Sequence, residues 1–167
     1  WVRHFDLAAT EPTPENPSPD ATASVLMGKY KDGRYVVAHV TNDCISAHKV
    51  RELMLNKARD DKALLNRVQI SLPQDPGQAG KDQAQGLIRM LSGYNASVLR
   101  ETGDKVTRAE PFAAQWQAGN VDVVLGDWND MYFSQLEAFP SGAKKDMVDA
   151  GSGAFSKLQV SGGAFVA

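Results

Sequence analysis

The sequence predicts an α/β fold: a mixed central β-sheet that starts with an antiparallel hairpin and carries flanking helices. Three observations predict it. Two β-rich runs are joined by Asp32-Gly33, a strong hairpin turn. Short apolar runs then alternate with amphipathic helical stretches, the pattern of strands crossed by helices. The chain has 167 residues, ample for one core and short for two, so one domain is expected over residues 1–160 with a flexible tail at 161–167.

Residues 1–9 alternate as a strand, with Val2, His4, Asp6 and Ala8 on one face and Asp6 as the only acid. Residues 11–20 contain four prolines, which forbid helix or internal strand and leave an exposed loop with Asp20 as an Asx-turn residue. The hairpin strands are 22–31 and 34–41. A helix follows over 46–65, capped by Ser46, with Val50, Leu53, Met54 and Leu64 at helical spacing. Residues 67–72 return as a strand that halts at Pro73-Gln-Asp-Pro-Gly77, so Asp75 falls just past its C-terminal end. In open α/β sheets ligands gather at that edge.

The next helix covers 78–93, with Ala84, Leu87, Ile88 and Leu91 turned to the sheet. A short strand at 96–99 precedes a helix at 106–117 with Pro111 inside it, and 120–125 is the last strand. Residues 129–138 form a short helix ended by Pro140-Ser-Gly142. The final helix carries Asp146 and Asp149 and runs to about Leu158, with 162–167 frayed.

A net charge of -2 and a pI near 5.9 exclude a globally basic nucleic-acid binder, so any DNA contact has to be a local patch. The lone Cys44 excludes a disulfide framework and a Cys-rich zinc site, and is expected to be a small buried hydrophobe in a reducing cytosol. No apolar run approaches the roughly 20 residues that cross a bilayer, so no membrane partner is expected. The chain opens on Trp1 directly in a strand, as in a domain excised from a longer polypeptide.

Asp146 and Asp149 project from one side of the last helix. Alone, the pair is accounted for by capping of the helix amides. Asp6 and Asp75, however, lie at the ends of predicted core strands, and if the sheet packs as expected all of these can converge. Carboxylates without His or Cys suit a hard ion, Mg²⁺ or Mn²⁺. Two such ions roughly 4 Å apart activate a water and stabilise the leaving oxygen of a phosphodiester.

Asp75-Pro-Gly-Gln-Ala-Gly-Lys81 lacks the spacing of a phosphate-binding Walker loop, and its glycines are expected to let backbone approach a metal or a DNA phosphate. Lys81 follows them. Lys105 and Arg108, three apart at a helix start, read either as a solvated face capped by Asp104 or Thr107, or as phosphate contacts. Lys144 and Lys145 are placed to hold the cut strand. His4, His39 and His48 have no metal-ligand spacing, though His4 shares a face with Asp6.

Phe5-Asp-Leu-Ala-Ala-Thr10, Gln74-Asp-Pro-Gly-Gln-Ala-Gly-Lys81, Thr102-Gly-Asp-Lys-Val-Thr-Arg-Ala-Glu-Pro-Phe-Ala113 and Leu136-Glu-Ala-Phe-Pro-Ser-Gly142, followed by Asp146-Met-Val-Asp-Ala150, resemble the nuclease domain of tailed-phage terminase large subunits. The resemblance runs from Trp1 to about Leu158. It implies an RNase H-like fold and a metal-dependent endonuclease that cuts concatemeric phage DNA during genome packaging in the host cytoplasm, at the procapsid portal. It also implies double-stranded DNA as substrate, and a preceding ATPase domain, the portal and the small terminase as partners. On this resemblance the three acids that hold two Mg²⁺ or Mn²⁺ ions fall on Asp6, Asp75 and Asp146, with Asp149 supporting them. Two positions depart from the family pattern. Lys144-Lys-Asp146 stands where many relatives read His-Asp-Asp, and Pro73 stands where many carry Glu.

Overall fold

A computed structural model describes residues 1–100 and 103–161. Its strands are β1 (Val2–Asp6), β2 (Thr22–Lys29), β3 (Tyr35–Asp43), β4 (Gln69–Gln74), β5 (Asn95–Arg100) and β6 (Val121–Val123). Its helices are α1 (Ala47–Leu65), α2 (Gln78–Met90), α3 (Lys105–Gln117), α4 (Asn129–Ala138) and α5 (Asp146–Ser161). Of the expected tail, Ser161 is still helical, while 162–167 lie outside the described residues, as do Glu101 and Thr102.

The strands form one sheet in the order β5-β4-β1-β2-β3-β6. β1 pairs antiparallel with β2, and β2 with β3, which is the expected hairpin start. The β1/β4, β4/β5 and β3/β6 pairs are parallel, so the sheet is mixed. At the hairpin turn Gly33 adopts φ +95°, a value that favours glycine, and the Arg34 amide donates to Asp32 Oδ1 at 3.0 Å.

Alternation along the strands sends side chains into two cores. Val2, Val25, Met27 and Val37 meet Phe112 of α3, Tyr132 of α4 and Phe155 of α5 on one face. Phe5, Leu26, Ile70 and Leu72 meet Val50 and Met54 of α1 and Leu91, just past α2, on the other. The molecule is therefore three layers, helix on sheet on helix. Among the described residues no helix is long and apolar enough to cross a membrane.

Several local expectations are corrected. β1 stops at Asp6 because Thr22 takes over beyond it: the Ala8 amide donates to Thr22 Oγ1 at 3.1 Å, and that hydroxyl donates back to the Ala8 carbonyl. The buried stripe of α1 is Val50, Met54, Ala58 and Asp61, stepping by one helical turn, so Leu64 falls outside it and is 82% exposed. Ser46 is the N-cap residue of α1, but its side chain makes no capping hydrogen bond. Cys44 is half-buried rather than buried, its Sγ 3.6 Å from the Pro19 carbonyl.

Helix α5 crosses the sheet antiparallel to β1. Near its C-terminus Gln159 reaches the Tyr35 hydroxyl at 2.5 Å, and Tyr35 sits level with the Val2 end of the sheet through its pairing with Lys29 of β2. Its N-terminus therefore lies over the carboxyl ends of β1 and β4. Gly153 brings it down: a Cβ there would stand 2.2 Å from the His4 ring, so only glycine lets the helix rest on β1.

Candidate functional site

Asp6 and Asp75 are brought together by two parallel neighbours. Asp6 is the last residue of β1, and Asp75 directly follows β4. His4 pairs with Ser71, and carrying that register forward sets Asp6 level with Pro73, two residues before Asp75. Both acids line a cleft of about 70 Å³, together with Leu7, Pro73, Gly80, Gln83 and Leu87. A Cβ at Gly80 would stand 2.4 Å from the Asp75 carbonyl oxygen, so the glycine admits that carbonyl and fixes the start of α2 against the acid's own backbone.

The two acids of α5 diverge. Asp146 faces a cavity that includes Ala21, Asn42, Cys44 and Lys144, on the β2–β3 side. Its Oδ2 is buried without a hydrogen-bond partner, and burial pushes its carboxyl above the usual range, against the Ala21 amide, which stabilises the anion. Asp149 and Asp146 precede Gly153 by one and two helical turns, so both start on the stripe that lies over His4, whose face of β1 also carries Asp6, yet they open on different clefts. Asp149 is the one nearer β5. It borders a second cleft with Leu99, Arg100, Arg108, Ser152 and Gly153. Among the described residues, no group of three His, Cys, Asp or Glu side chains is arranged to hold a metal ion. The donor set at the edge is nonetheless all oxygen, which fits a hard divalent cation held by Asp6 and Asp75.

Two cations sit on Asp149. Lys105 Nζ donates to its Oδ2, and the Arg108 guanidinium lies 4.0 Å from Oδ1. Both come from the first turn of α3, whose N-cap is Asp104: its carboxylate accepts from the Thr107 amide at 2.9 Å and from the Thr107 hydroxyl at 2.8 Å. Lys144 is engaged elsewhere. It donates to the carbonyls of Ser18 at 2.7 Å and Pro19 at 2.6 Å and pairs with Asp20 at 3.6 Å, tying down the Pro-rich loop. Lys145 is half-buried, and its carbonyl accepts from the Asp149 amide at 2.9 Å. Lys81 is exposed in the first turn of α2.

His4 is buried beneath α5 with Nδ1 2.9 Å from Ser71 Oγ. Burial, aided by the positive charges of Lys157 and Arg108, holds its pKa down at about 3, so the ring is neutral. Gln83 and Arg100 carry no motif of their own in the sequence. The strand-end rule that located Asp75 finds Arg100 when it is applied to the next strand, because Arg100 closes β5 on the same edge.

The yeast mitochondrial Holliday junction resolvase Ydc2 shares the fold with a TM-score of 0.52, at 9% identity over 92% of this chain and 76% of that one. No curated protein matches the chain. The family model described as a terminase RNaseH-like domain matches residues 3–158, which takes in β1, β4 and most of α5. With that match across nearly the whole chain, and an RNase H-like sheet beneath it, this chain belongs to the terminase RNase H-like family of nuclease-type domains.

Proposed function

We propose that this domain is a metal-dependent DNA endonuclease that cuts concatemeric viral DNA during genome packaging. One observation carries the reading: Asp6 and Asp75, from parallel neighbouring strands, line a single cleft at the carboxyl edge of the sheet, against α2. Asp6 and Asp75 are the ligands from the sheet. From the helix we assign Asp149 as the direct ligand and Asp146 as the supporting carboxylate. This reverses the order expected from the sequence, because Asp149 opens on the cleft that holds Arg100 and Arg108 while Asp146 opens on the cavity beside the Pro-rich loop.

When bound, two Mg²⁺ or Mn²⁺ ions supply water activation and stabilise the leaving 3′-oxygen. The protein's own groups position the strand. Lys105 and Arg108 compensate Asp149 and face the DNA backbone, Lys81 of α2 and Lys145 before α5 are further backbone contacts, and Lys144 holds the Pro-rich loop that borders Asp146. Such contacts read the backbone rather than bases, so cleavage is largely sequence-independent. In the full protein the partners are an ATPase domain, the portal and the small terminase, and the site of action is the procapsid portal in the host cytoplasm.

Plasmid nicking with Mg²⁺ or Mn²⁺ tests this. The wild-type chain nicks, EDTA stops it, and Asp6→Ala, Asp75→Ala and Asp149→Ala do not nick, whereas Asp146→Asn keeps part of the activity. Equal nicking by all the variants would sink the reading. Preference for four-way junctions or RNA–DNA hybrids over plain duplex would reassign it to a resolvase or RNase H-type nuclease. The Lys105–Asp149 ion pair favours one competing reading, a module that grips DNA and does not cut, because it satisfies the helix carboxylate with a protein cation. That module binds duplex as wild type and in every variant, and nicks in none.

A further inference from the structure

We infer that the cleft between β5 and α5 seats one phosphate of the DNA backbone beside the acidic site, held by Arg100, Arg108 and the Ser152 hydroxyl. The inference rests on DNA being the substrate, and it adds a subsite that the acids do not supply. The cleft measures about 240 Å³ and is lined by Leu99, Arg100, Arg108, Asp149, Ser152, Gly153 and Ser156. Three independent features point to a phosphate.

The first is position. Arg100 closes β5 on the carboxyl edge that also carries Asp6 and Asp75. β5 lies two strands from β1, roughly 10 Å at the usual strand spacing. A group held there belongs to a nucleotide adjacent to the one at the acids, on the same backbone.

The second is an unsatisfied hydroxyl. Ser152 is 4% exposed, and its Oγ has no hydrogen-bond partner. A buried hydroxyl left unpaired is costly, and this one borders the cleft. A phosphate oxygen is the acceptor that its proton lacks. Ser152, Gly153 and Ser156 make the α5 wall small and polar, which leaves room for a tetrahedral anion rather than a side chain.

The third is charge. Two guanidinium groups line this cleft: that of Arg100, and that of Arg108, which also donates to the Gly103 carbonyl at 3.2 Å and lies 4.0 Å from Asp149 Oδ1. Guanidinium groups match phosphate oxygens in pairs, which a lysine cannot do. Arg100 is exposed at the cleft, so the site is open to solvent and to a strand.

The test is duplex binding followed by fluorescence anisotropy, with the 167-residue chain in EDTA so that cleavage plays no part. Arg100→Gln weakens binding about tenfold, the size of a lost charged hydrogen bond. It also lowers the slope of log K against log salt by about one. Ser152→Ala weakens binding by a smaller factor without lowering the thermal midpoint, whereas a purely structural hydroxyl would leave binding unchanged. Arg59→Gln, on the outer face of α1, serves as the control and changes nothing. A duplex scanned with single methylphosphonates then locates the contact: one neutralised phosphate weakens wild type but not Arg100→Gln.

If every methylphosphonate weakens wild type and Arg100→Gln equally, the subsite is overturned while the nuclease reading stands. If the phosphate coupling holds but nothing nicks, the nuclease reading falls and the subsite survives. Failure of wild type to bind duplex at all overturns both.

Discussion

Arg3 is 1% exposed in the same strand that ends at Asp6, and it is held from the opposite face of the sheet. Asp61 of α1 accepts from Arg3 Nε at 2.5 Å and from its NH2 at 2.8 Å, and Ser24 Oγ accepts from NH1 at 3.0 Å. A buried ion pair is worth little beyond its desolvation cost, but breaking it strands a charge. Asp61→Asn therefore lowers unfolding stability by about 3–5 kcal/mol in urea titrations, and Arg3→Met with Asp61→Leu together is less damaging than Asp61→Asn alone. A double variant worse than the single would refute this account. The histidines add a pH term. His4, against Ser71, Lys157 and Arg108, is held down at about 3, and His39, near Arg3, Lys57 and Asp61, at about 4, burial being the first cause in both. An unfolded histidine takes up a proton near pH 6.5 while the folded ones do not, so protons favour the unfolded chain below that pH. Stability is full above about 6.5 and falls as pH drops through 4 toward 3. In melting curves taken across that window, His4→Gln should flatten the fall; a wild-type midpoint that does not move would contradict it.

Helix ends separate what the sequence specifies from what the fold overrides. Ser46 and Asp104 both look like caps, yet only Asp104 closes onto its helix, through the amide and the hydroxyl of Thr107. Asp104→Ala should lower the melting temperature by a few degrees while Asp104→Asn holds it, and Ser46→Ala should change nothing measurable. Equal effects at the two positions would count against the cap assignment. The same divide runs through the element list. The Asp32-Gly33 turn, the Pro-rich loop and the order of strands and helices are written in local chemistry, and each was legible. The inward place of Asp61 was not, because a carboxylate belongs in a core only when a partner such as Arg3, distant in sequence, arrives there. The site divides likewise. Asp6 and Asp75 could be located from strand ends, whereas the different clefts on which Asp146 and Asp149 open depend on how α5 is seated on the sheet, with Gly153 against His4.

At the scale of the whole molecule, the sheet isolates two cores that share few atoms. Ile70 belongs to the α1/α2 side and Phe112 to the α3/α4/α5 side. Ile70→Val and Phe112→Leu should therefore destabilise additively, within about 0.5 kcal/mol in denaturant titrations. A larger coupling would mean that strain passes through the sheet. The family match over residues 3–158 spans both cores, so the resemblance in four sequence motifs reflects a scaffold that carries Asp6, Asp75 and α5 together. The outermost strand has a consequence of another kind. A hairpin that ended at β3 would offer a nine-residue row of unpaired amides and carbonyls, the template on which a neighbouring chain adds a strand. β6 pairs its three residues, Val121–Val123, with Tyr35–Val37 at the start of that row and so shortens the stretch of β3 open to a further strand. Where these domains crowd together, the strand farthest from the acids thus guards against fibre-like stacking of one copy on the next.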